Sequence, residues 1–234
     1  MGAVVQIENS FQEGKMAVCE FEAVIFDMDG VIFDSERCVI ECWKEIAEKY
    51  DIPDIEEACI ECTGINTKLT TEKMRNRYGK EFPYETYRAE MRALFQSRYS
   101  DGRLPVKEGA VELLEALQKE GKKIALASST REEMVRKELT EAGLIDYFNV
   151  LVCGDQVEKS KPAPDIFLKA CECLGLAPQV CYGIEDSHNG IRACAAAGLH
   201  TIMVPDVLEA TEEMRELSET VLASLIEVKG YLCG

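Results

Sequence analysis

Basic residues, histidines and long apolar runs are all scarce in this 234-residue chain, and each shortage excludes a class of protein. Only 26 Lys and Arg accompany 43 Asp and Glu, so the net charge is −17. This charge argues against binding to nucleic acids or to anionic membrane surfaces. No apolar run is long enough to span a bilayer, and the first residues lack the order of a signal peptide. We therefore expect a cytoplasmic protein that binds neither nucleic acid nor membranes.

The 11 cysteines do not follow a zinc-binding pattern. Cys59 and Cys62 form a CxxC pair, but no second pair follows, and His188 and His200 do not lie at zinc-finger spacing. We expect most of these cysteines to be free thiols that pack as small apolar side chains. Such cysteine usage suits a reducing cytoplasm.

Short apolar runs alternate with helical patterns after residue 104, and one further apolar run lies at residues 23–26. Strands that alternate with helices predict an α/β fold, with a doubly wound, Rossmann-like parallel sheet as its core. The later strands are predicted at 122–128, 150–153, 180–184 and 201–204, and the helices at 106–118, 131–142, 164–175, 190–197 and 207–228.

The segment before this alternating region has a different pattern, because its apolar residues recur at helical spacing and no strand is evident. Ile40, Trp43 and Ile46 illustrate that spacing, and Asp101-Gly102 marks a return to the core. We therefore predict an inserted, all-helical cap domain. The predicted units are an N-terminal extension (1–20), an α/β catalytic core (21–34 and 102–234) and the cap (35–101).

Two aspartates follow the first predicted strand, and their spacing is typical of a functional site. In an extended strand Asp27 and Asp29 point to the same side. Two like charges at that distance are costly unless a cation or a shared proton lies between them. The pair therefore suggests a site for an oxygen-binding divalent metal such as Mg²⁺. Taken alone, Asp-x-Asp-Gly also fits an acidic surface turn or the start of a Ca²⁺ loop.

Polar residues follow the other predicted strands as well. Ser128-Ser129-Thr130, Lys161 and Glu185-Asp186 all lie where a strand ends or shortly after it. In an open α/β sheet these carboxyl ends meet at one edge, where ligands bind. Together they supply carboxylates, hydroxyls and a lysine, as phosphoryl transfer requires. Individually, Ser128 and Glu185-Asp186 also fit helix caps, and Lys161 also fits a solvated surface position.

These segments, taken in order, resemble the four motifs of the haloacid dehalogenase superfamily, in its beta-phosphoglucomutase-like branch with a helical cap. The matching segments are Asp27-Met28-Asp29-Gly30-Val31, Ser128, Lys161 within Ser160–Asp165, and Glu185-Asp186-Ser187 with Gly190. The resemblance covers residues 21–206 approximately.

The resemblance implies a role for each matched residue. Asp27 would attack the substrate phosphorus and form an aspartyl-phosphate. Asp29 would protonate the leaving oxygen and later deprotonate the hydrolytic water. Ser128 and the Ser129 N–H would hold the phosphoryl group, and Lys161 would steady Asp27 and the transferring charge.

The resemblance also implies one cofactor, Mg²⁺. Its ligands would be the Asp27 carboxylate, the Asp29 main-chain carbonyl and Asp186. Glu185 would not bind the metal directly but would contact its ligands or reach the metal through a water molecule.

Two reactions fit this motif set. Dehalogenases and phosphonoacetaldehyde hydrolases of the superfamily lack an aspartate equivalent to Asp29, which leaves phosphatases and phosphomutases. Beta-phosphoglucomutases have a histidine where this chain has Val39, and an arginine in the cap that is missing from the run 64–68. We therefore predict a phosphoric monoester hydrolase that acts on a small phosphorylated metabolite, a sugar phosphate. A beta-phosphoglucomutase-type phosphosugar mutase is the alternative.

The cap is expected to choose the substrate. Asn66, Thr67 and Lys68 are polar and would contact its non-phosphate end, although Thr67 also fits the start of a helix. The chain is expected to be a monomer. A catalytically idle binding module is the contrasting hypothesis, but no nucleophile or metal ligand is missing.

Overall fold

A parallel sheet forms the centre of the chain in the computed structural model, which describes residues 20–63 and 67–234. The strands are β1 (Ala23–Phe26), β2 (Lys123–Ser128), β3 (Val150–Cys153), β4 (Cys181–Glu185), β5 (His200–Met203) and β6 (Thr220–Val221). Their order is β3-β2-β1-β4-β5-β6, and every neighbouring pair is parallel. The predicted doubly wound, Rossmann-like α/β fold is confirmed.

Helices cover both faces of this sheet. The helices are α1 (Ser35–Tyr50), α2 (Ile55–Ile60), α3 (Thr67–Tyr78), α4 (Tyr84–Tyr99), α5 (Ala110–Lys119), α6 (Glu132–Glu141), α7 (Asp165–Leu174), α8 (His188–Ala197), α9 (Glu212–Leu217) and α10 (Leu225–Leu232). Val24 and Phe26 of β1 share a core with α5 and α10, whereas Ala23 and Ile25 share a core with α7 and α8. Because β1 is buried on both faces, its sequence is continuously apolar. No helix of the described residues has the length and apolar character needed to cross a membrane.

The register of the central strands determines where the polar side chains emerge. Phe26, the last residue of β1, is level with Leu126 of β2 and Ile184 of β4. The next residue, Asp27, therefore leaves the sheet beside Glu185, and its N–H bonds to the Ile184 carbonyl at 3.0 Å. The polar residues predicted at separate strand ends thus share one edge.

Residues 35–99 contribute helices α1 to α4, in agreement with the predicted helical character of this segment. Their apolar faces form a core of their own, in which Trp43 is buried and stacked on Tyr84 at 5.8 Å between ring centroids. The division into extension, core and cap remains a prediction.

Two linkers join this helical segment to the sheet, and they pair with each other. The Asp34 N–H bonds to the Pro105 carbonyl, and the Lys107 N–H bonds to the Ile32 carbonyl, each at 2.9 Å. The Lys107 ammonium also reaches Asp206, beyond β5, at 2.6 Å. These contacts fix the start of α1 close to the polar edge of the sheet.

The predicted last helix over 207–228 is wrong. The chain there forms α9, the short strand β6 and α10. The segment between the helices pairs with β5, since the Glu219 N–H bonds to the Thr201 carbonyl at 2.8 Å and Thr220 is level with Ile202. The predicted helix over 106–118 also begins later, at Ala110, because Val106 pairs with Phe33 in the linker.

Glu219 fastens this last strand to the sheet. Its carboxylate accepts hydrogen bonds from the Tyr182 and Tyr231 hydroxyls, each at 2.7 Å, and lies 2.6 Å from His200 Nδ1. Burial alone would raise the pKa of Glu219, but the hydrogen bonds from Tyr231, Tyr182 and His200 lower it. The carboxylate therefore stabilises the fold above its unfolded pKa of about 4.3, and this contribution is lost as the pH falls through the folded pKa.

We expect Glu219→Gln to lower the free energy of unfolding by about 2 kcal/mol at pH 7, because a neutral amide replaces a charged acceptor of several hydrogen bonds. Urea denaturation measures this loss, which should shrink below pH 4. Glu216→Gln, an exposed position on α9, is the matched control and should leave stability unchanged. Equal stability of the two variants at pH 7 would contradict the assigned network.

Candidate active site

Three carboxyl groups and one lysine are buried together where β1, β2 and β4 end. Ligand oxygens of Asp27, Glu185 and Asp186 all lie within 4.8 Å of one another. The Lys161 ammonium donates to Asp27 Oδ1, to Glu185 Oε1 at 2.6 Å and to the Ala127 carbonyl at 3.0 Å. Lys161, which follows β3 in the chain, thus reaches past the end of β2 and contacts two of the three acids.

Two glycines let these acids approach so closely. Gly30 has a φ of +78°, and a Cβ atom there would lie 2.2 Å from Asp186 Oδ2. A Cβ at Gly190 would lie 1.8 Å from the Glu185 carboxyl carbon. No side chain fits at either position without moving an acid, so Gly30 and Gly190 are part of the construction of the site.

The acidic cluster is short of positive charge. Burial raises the pKa of Asp27 to about 8 despite the attraction of Lys161, and repulsion from Glu185 and Asp29 adds to the rise. Burial, Glu185 and Asp27 likewise raise the pKa of Asp186. Burial alone would lower the pKa of Lys161, but Asp27 and Glu185 keep it charged. The cluster therefore contains one positively charged group, Lys161, for three carboxyl groups.

This donor set fits a divalent, oxygen-binding metal. Carboxylate oxygens are the ligands that Mg²⁺ prefers, and a divalent cation would relieve the repulsion that raises the pKa values of Asp27 and Asp186. The structure therefore places a buried acidic cluster where the sequence predicted metal ligands.

Asp29 is held differently, by two hydroxyl groups from opposite sides. Ser35, at the start of α1, donates to Asp29 Oδ1 at 2.7 Å, and Thr130, between β2 and α6, donates to Asp29 Oδ2 at 2.9 Å. Neither hydroxyl was predicted to contact Asp29. Thr130 could have been suspected from the run Ser128-Ser129-Thr130, whereas no spacing signal identifies Ser35.

The predicted phosphate-binding serines lie at the end of β2. Ser128 is fully buried, and its Oγ accepts a hydrogen bond from the Thr130 N–H at 3.0 Å. It does not cap α6, whose N-cap residue is Arg131. Ser129 is exposed on the following turn. The structure therefore leaves the predicted role of these serines open to test.

The structure also places the sequence neighbours of the motif residues. Ser187, not Glu185 or Asp186, caps α8, because its Oγ accepts from the Gly190 N–H at 3.1 Å. Lys159 is exposed, unlike Lys161. His188 turns away to the Glu209 carbonyl, 2.9 Å from its Nε2.

The predicted substrate contacts in the cap are described only in part. Asn66 and the side chain of Thr67 lie outside the described residues. Lys68 is exposed in the first turn of α3. These three positions remain predictions.

A cavity of about 430 Å³ opens beside the acid-base candidate. Side chains of α1, α4 and α6 line it, together with Asp29 and Thr130. We refer to it as the Asp29 cavity. It lies between the helical segment and the sheet, so both regions contribute to it.

We expect Lys161→Met to lower the free energy of unfolding by about 3 kcal/mol in metal-free buffer, because it leaves Asp27 and Glu185 buried without their cation. Urea denaturation at pH 8 measures the loss. Lys159→Met, two residues away and exposed, is the matched control. A Lys161→Met protein as stable as the control would show that this lysine does not compensate the buried acids.

Comparisons with known proteins agree with this geometry. The family model of the haloacid dehalogenase-like hydrolases matches residues 24–204. A phosphorylated carbohydrates phosphatase of Thermotoga maritima is 30% identical over 215 residues, which cover 90% of this chain and 96% of that protein. A beta-phosphoglucomutase of Bacillus subtilis is 34% identical over 217 residues, 88% of this chain and 94% of that protein.

A solved structure leads to the same family. A haloacid dehalogenase family hydrolase from Deinococcus radiodurans, determined with bound phosphate and sodium, superposes with a TM-score of 0.76 at 26% identity. The match covers 91% of this chain and 97% of that one. With relatives named as phosphatases, the predicted class of phosphoric monoester hydrolase is confirmed. The chain belongs to the family of haloacid dehalogenase-like hydrolases.

Proposed function

We propose that the protein is a Mg²⁺-dependent phosphatase that hydrolyses a small sugar phosphate through an aspartyl-phosphate on Asp27. The observation that carries this proposal is the position of Asp27, which is buried against Lys161 and two further acids while Asp29 faces the adjoining cavity. A nucleophile and a separate proton donor are thus available at one place. The Thermotoga maritima relative, named for phosphorylated carbohydrates, supports the substrate class.

The first step transfers the phosphoryl group to the enzyme. An Asp27 oxygen forms a bond to phosphorus as the bond to the substrate alcohol breaks, and Asp29 donates a proton to the departing oxygen. Lys161 orients Asp27 through their hydrogen bond. Ser128 and the Ser129 N–H would hold the phosphoryl oxygens. Mg²⁺, held by Asp27, the Asp29 carbonyl and Asp186, would neutralise charge on these carboxylates and on the phosphoryl group.

The second step releases phosphate. Asp29, now ionised, takes a proton from a water molecule that attacks phosphorus, and the bond between phosphorus and Asp27 breaks. Ser35 and Thr130 orient Asp29 for both transfers, since each donates to one of its oxygens. The nucleophile is thereby regenerated and inorganic phosphate leaves.

A phosphosugar mutase is the second candidate, and the Bacillus subtilis relative favours it. A mutase must retain the phosphoryl group and place the second end of a bisphosphate at the nucleophile. Val39, which stands where beta-phosphoglucomutases have a histidine, lines the Asp29 cavity with an apolar side chain. This substitution favours the phosphatase.

We expect Mg²⁺-dependent phosphate release from sugar phosphates by the purified protein, and a loss of at least about a thousandfold in kcat for Asp27→Asn, because the amide cannot act as the nucleophile. Circular dichroism checks that the variant folds. Undiminished release by Asp27→Asn would disprove the proposed nucleophile. Conversion of beta-glucose 1-phosphate to glucose 6-phosphate with a bisphosphate primer, without phosphate release, would instead establish the mutase.

The metal site makes a second prediction through Gly30. We expect Gly30→Ala to raise the Mg²⁺ concentration for half-maximal activity at least about tenfold, because the new methyl displaces Asp186. Gly121→Ala is the matched control, since Gly121 also has a positive φ, +70°, but has open space around its Cβ position. The same Mg²⁺ dependence in both variants would exclude Asp186 as a ligand.

A further inference from the structure

The Asp29 cavity has an apolar wall that suits a flat or partly apolar group. Met91, Phe95 and Tyr99 line it from α4, Val39 from α1 and Met134 from α6. Small-molecule sites are commonly lined in this way, with a few polar groups that fix orientation. Because Asp29 also lines the cavity, a molecule bound there would contact the proposed proton donor.

The charged residues of the same lining are mainly acidic. Glu36 approaches from α1 on the cap side, and Glu138 and Glu141 approach from α6 on the core side. The cations of the lining are Arg92 and Lys137, and Lys137 lies 3.7 Å from Glu141. With Asp29, the lining therefore carries more carboxyl groups than cations.

The carboxyl groups of Glu36 and Glu138 are partly buried and lie in the field of Asp29. Burial and the charge of Asp29 raise the pKa of both Glu36 and Glu138 to about 7. The two glutamates lie on different helices, α1 and α6, so the negative charge of the lining does not come from one helix alone. A further anion in this space would meet repulsion, whereas hydroxyl groups would find acceptors.

We propose that the Asp29 cavity holds the leaving alcohol and that Glu138, together with Glu36, selects against a second anionic group on it. This inference rests on the proposed phosphatase function and narrows its substrate class. The preferred substrates are phosphate monoesters of neutral alcohols that carry hydroxyl groups. Bisphosphates and phosphorylated carboxylic acids are disfavoured.

Pairs of ligands that differ in one anionic group test this selectivity. Glycerol 3-phosphate and 3-phosphoglycerate form one pair, and fructose 6-phosphate and fructose 1,6-bisphosphate form another. Binding is measured by calorimetry on the Asp27→Asn protein with Mg²⁺, which cannot turn the ligands over, and kcat/KM is measured on the wild type. We expect the neutral-alcohol member of each pair to bind at least about tenfold more tightly.

At pH 9, well above the pKa of Glu138, Glu138→Gln preserves shape and removes the charge, and it should reduce this preference by about tenfold because it removes one like-charge repulsion. Glu133→Gln, exposed on the same helix and outside the cavity lining, is the matched control and should leave the preference unchanged. Urea denaturation of both variants verifies folding.

Tighter binding of the doubly anionic ligands would overturn the inference and would point to Arg92 as an anion receptor. A preference that survives Glu138→Gln unchanged would also overturn it. The selective binding of neutral-alcohol esters by a protein that releases no phosphate would support the selectivity assigned to Glu138 and refute the phosphatase. The two proposals can therefore fail separately.

Discussion

The burial of three carboxyl groups against a single lysine is the constraint on which the rest of the site depends. Such a cluster is costly in a low-dielectric interior unless each charge is paired or neutralised. Lys161 compensates Asp27 and Glu185 directly, but Asp186 adds a further acid at the same edge. The unbalanced charge makes the site suitable for a divalent metal, which would lie beside Asp27, the proposed nucleophile.

The parallel sheet makes this arrangement possible, because it brings residues from distant parts of the chain to one edge. Asp27 and Glu185 leave adjacent strands at the same level, and Lys161 crosses from the next loop. Apolar packing on both faces holds the strands in register, so the acids cannot separate to relieve their repulsion. The packing of the sheet thus holds the carboxyl groups together despite their mutual repulsion, as is common at functional sites.

Asp29, the proposed acid-base residue, lies where the sheet and the helical segment meet. The Asp29 carboxylate accepts hydrogen bonds from Ser35, at the start of α1, and from Thr130, between β2 and α6. The cavity beside it draws its lining from both sides. Changes in α1, α4 or α6 can therefore alter the cavity without disturbing Asp27.

The α/β alternation could be predicted from the sequence and is confirmed, because strands and helices have local patterns. The set Asp27, Ser128, Lys161 and Glu185-Asp186 could be proposed in the same way, since parallel strands bring their ends to one edge, where the structure places these residues. The prediction of the last helix was wrong, since Thr220 joins the sheet through pairing with β5, a long-range contact without a local pattern. The hydroxyls that bond to Asp29 and the acids that line its cavity became evident only in the folded chain. Those partners lie on different elements, because Thr130 and Asp29, which share a hydrogen bond, are 101 residues apart in the sequence. Their contact depends on how the helices pack on the sheet.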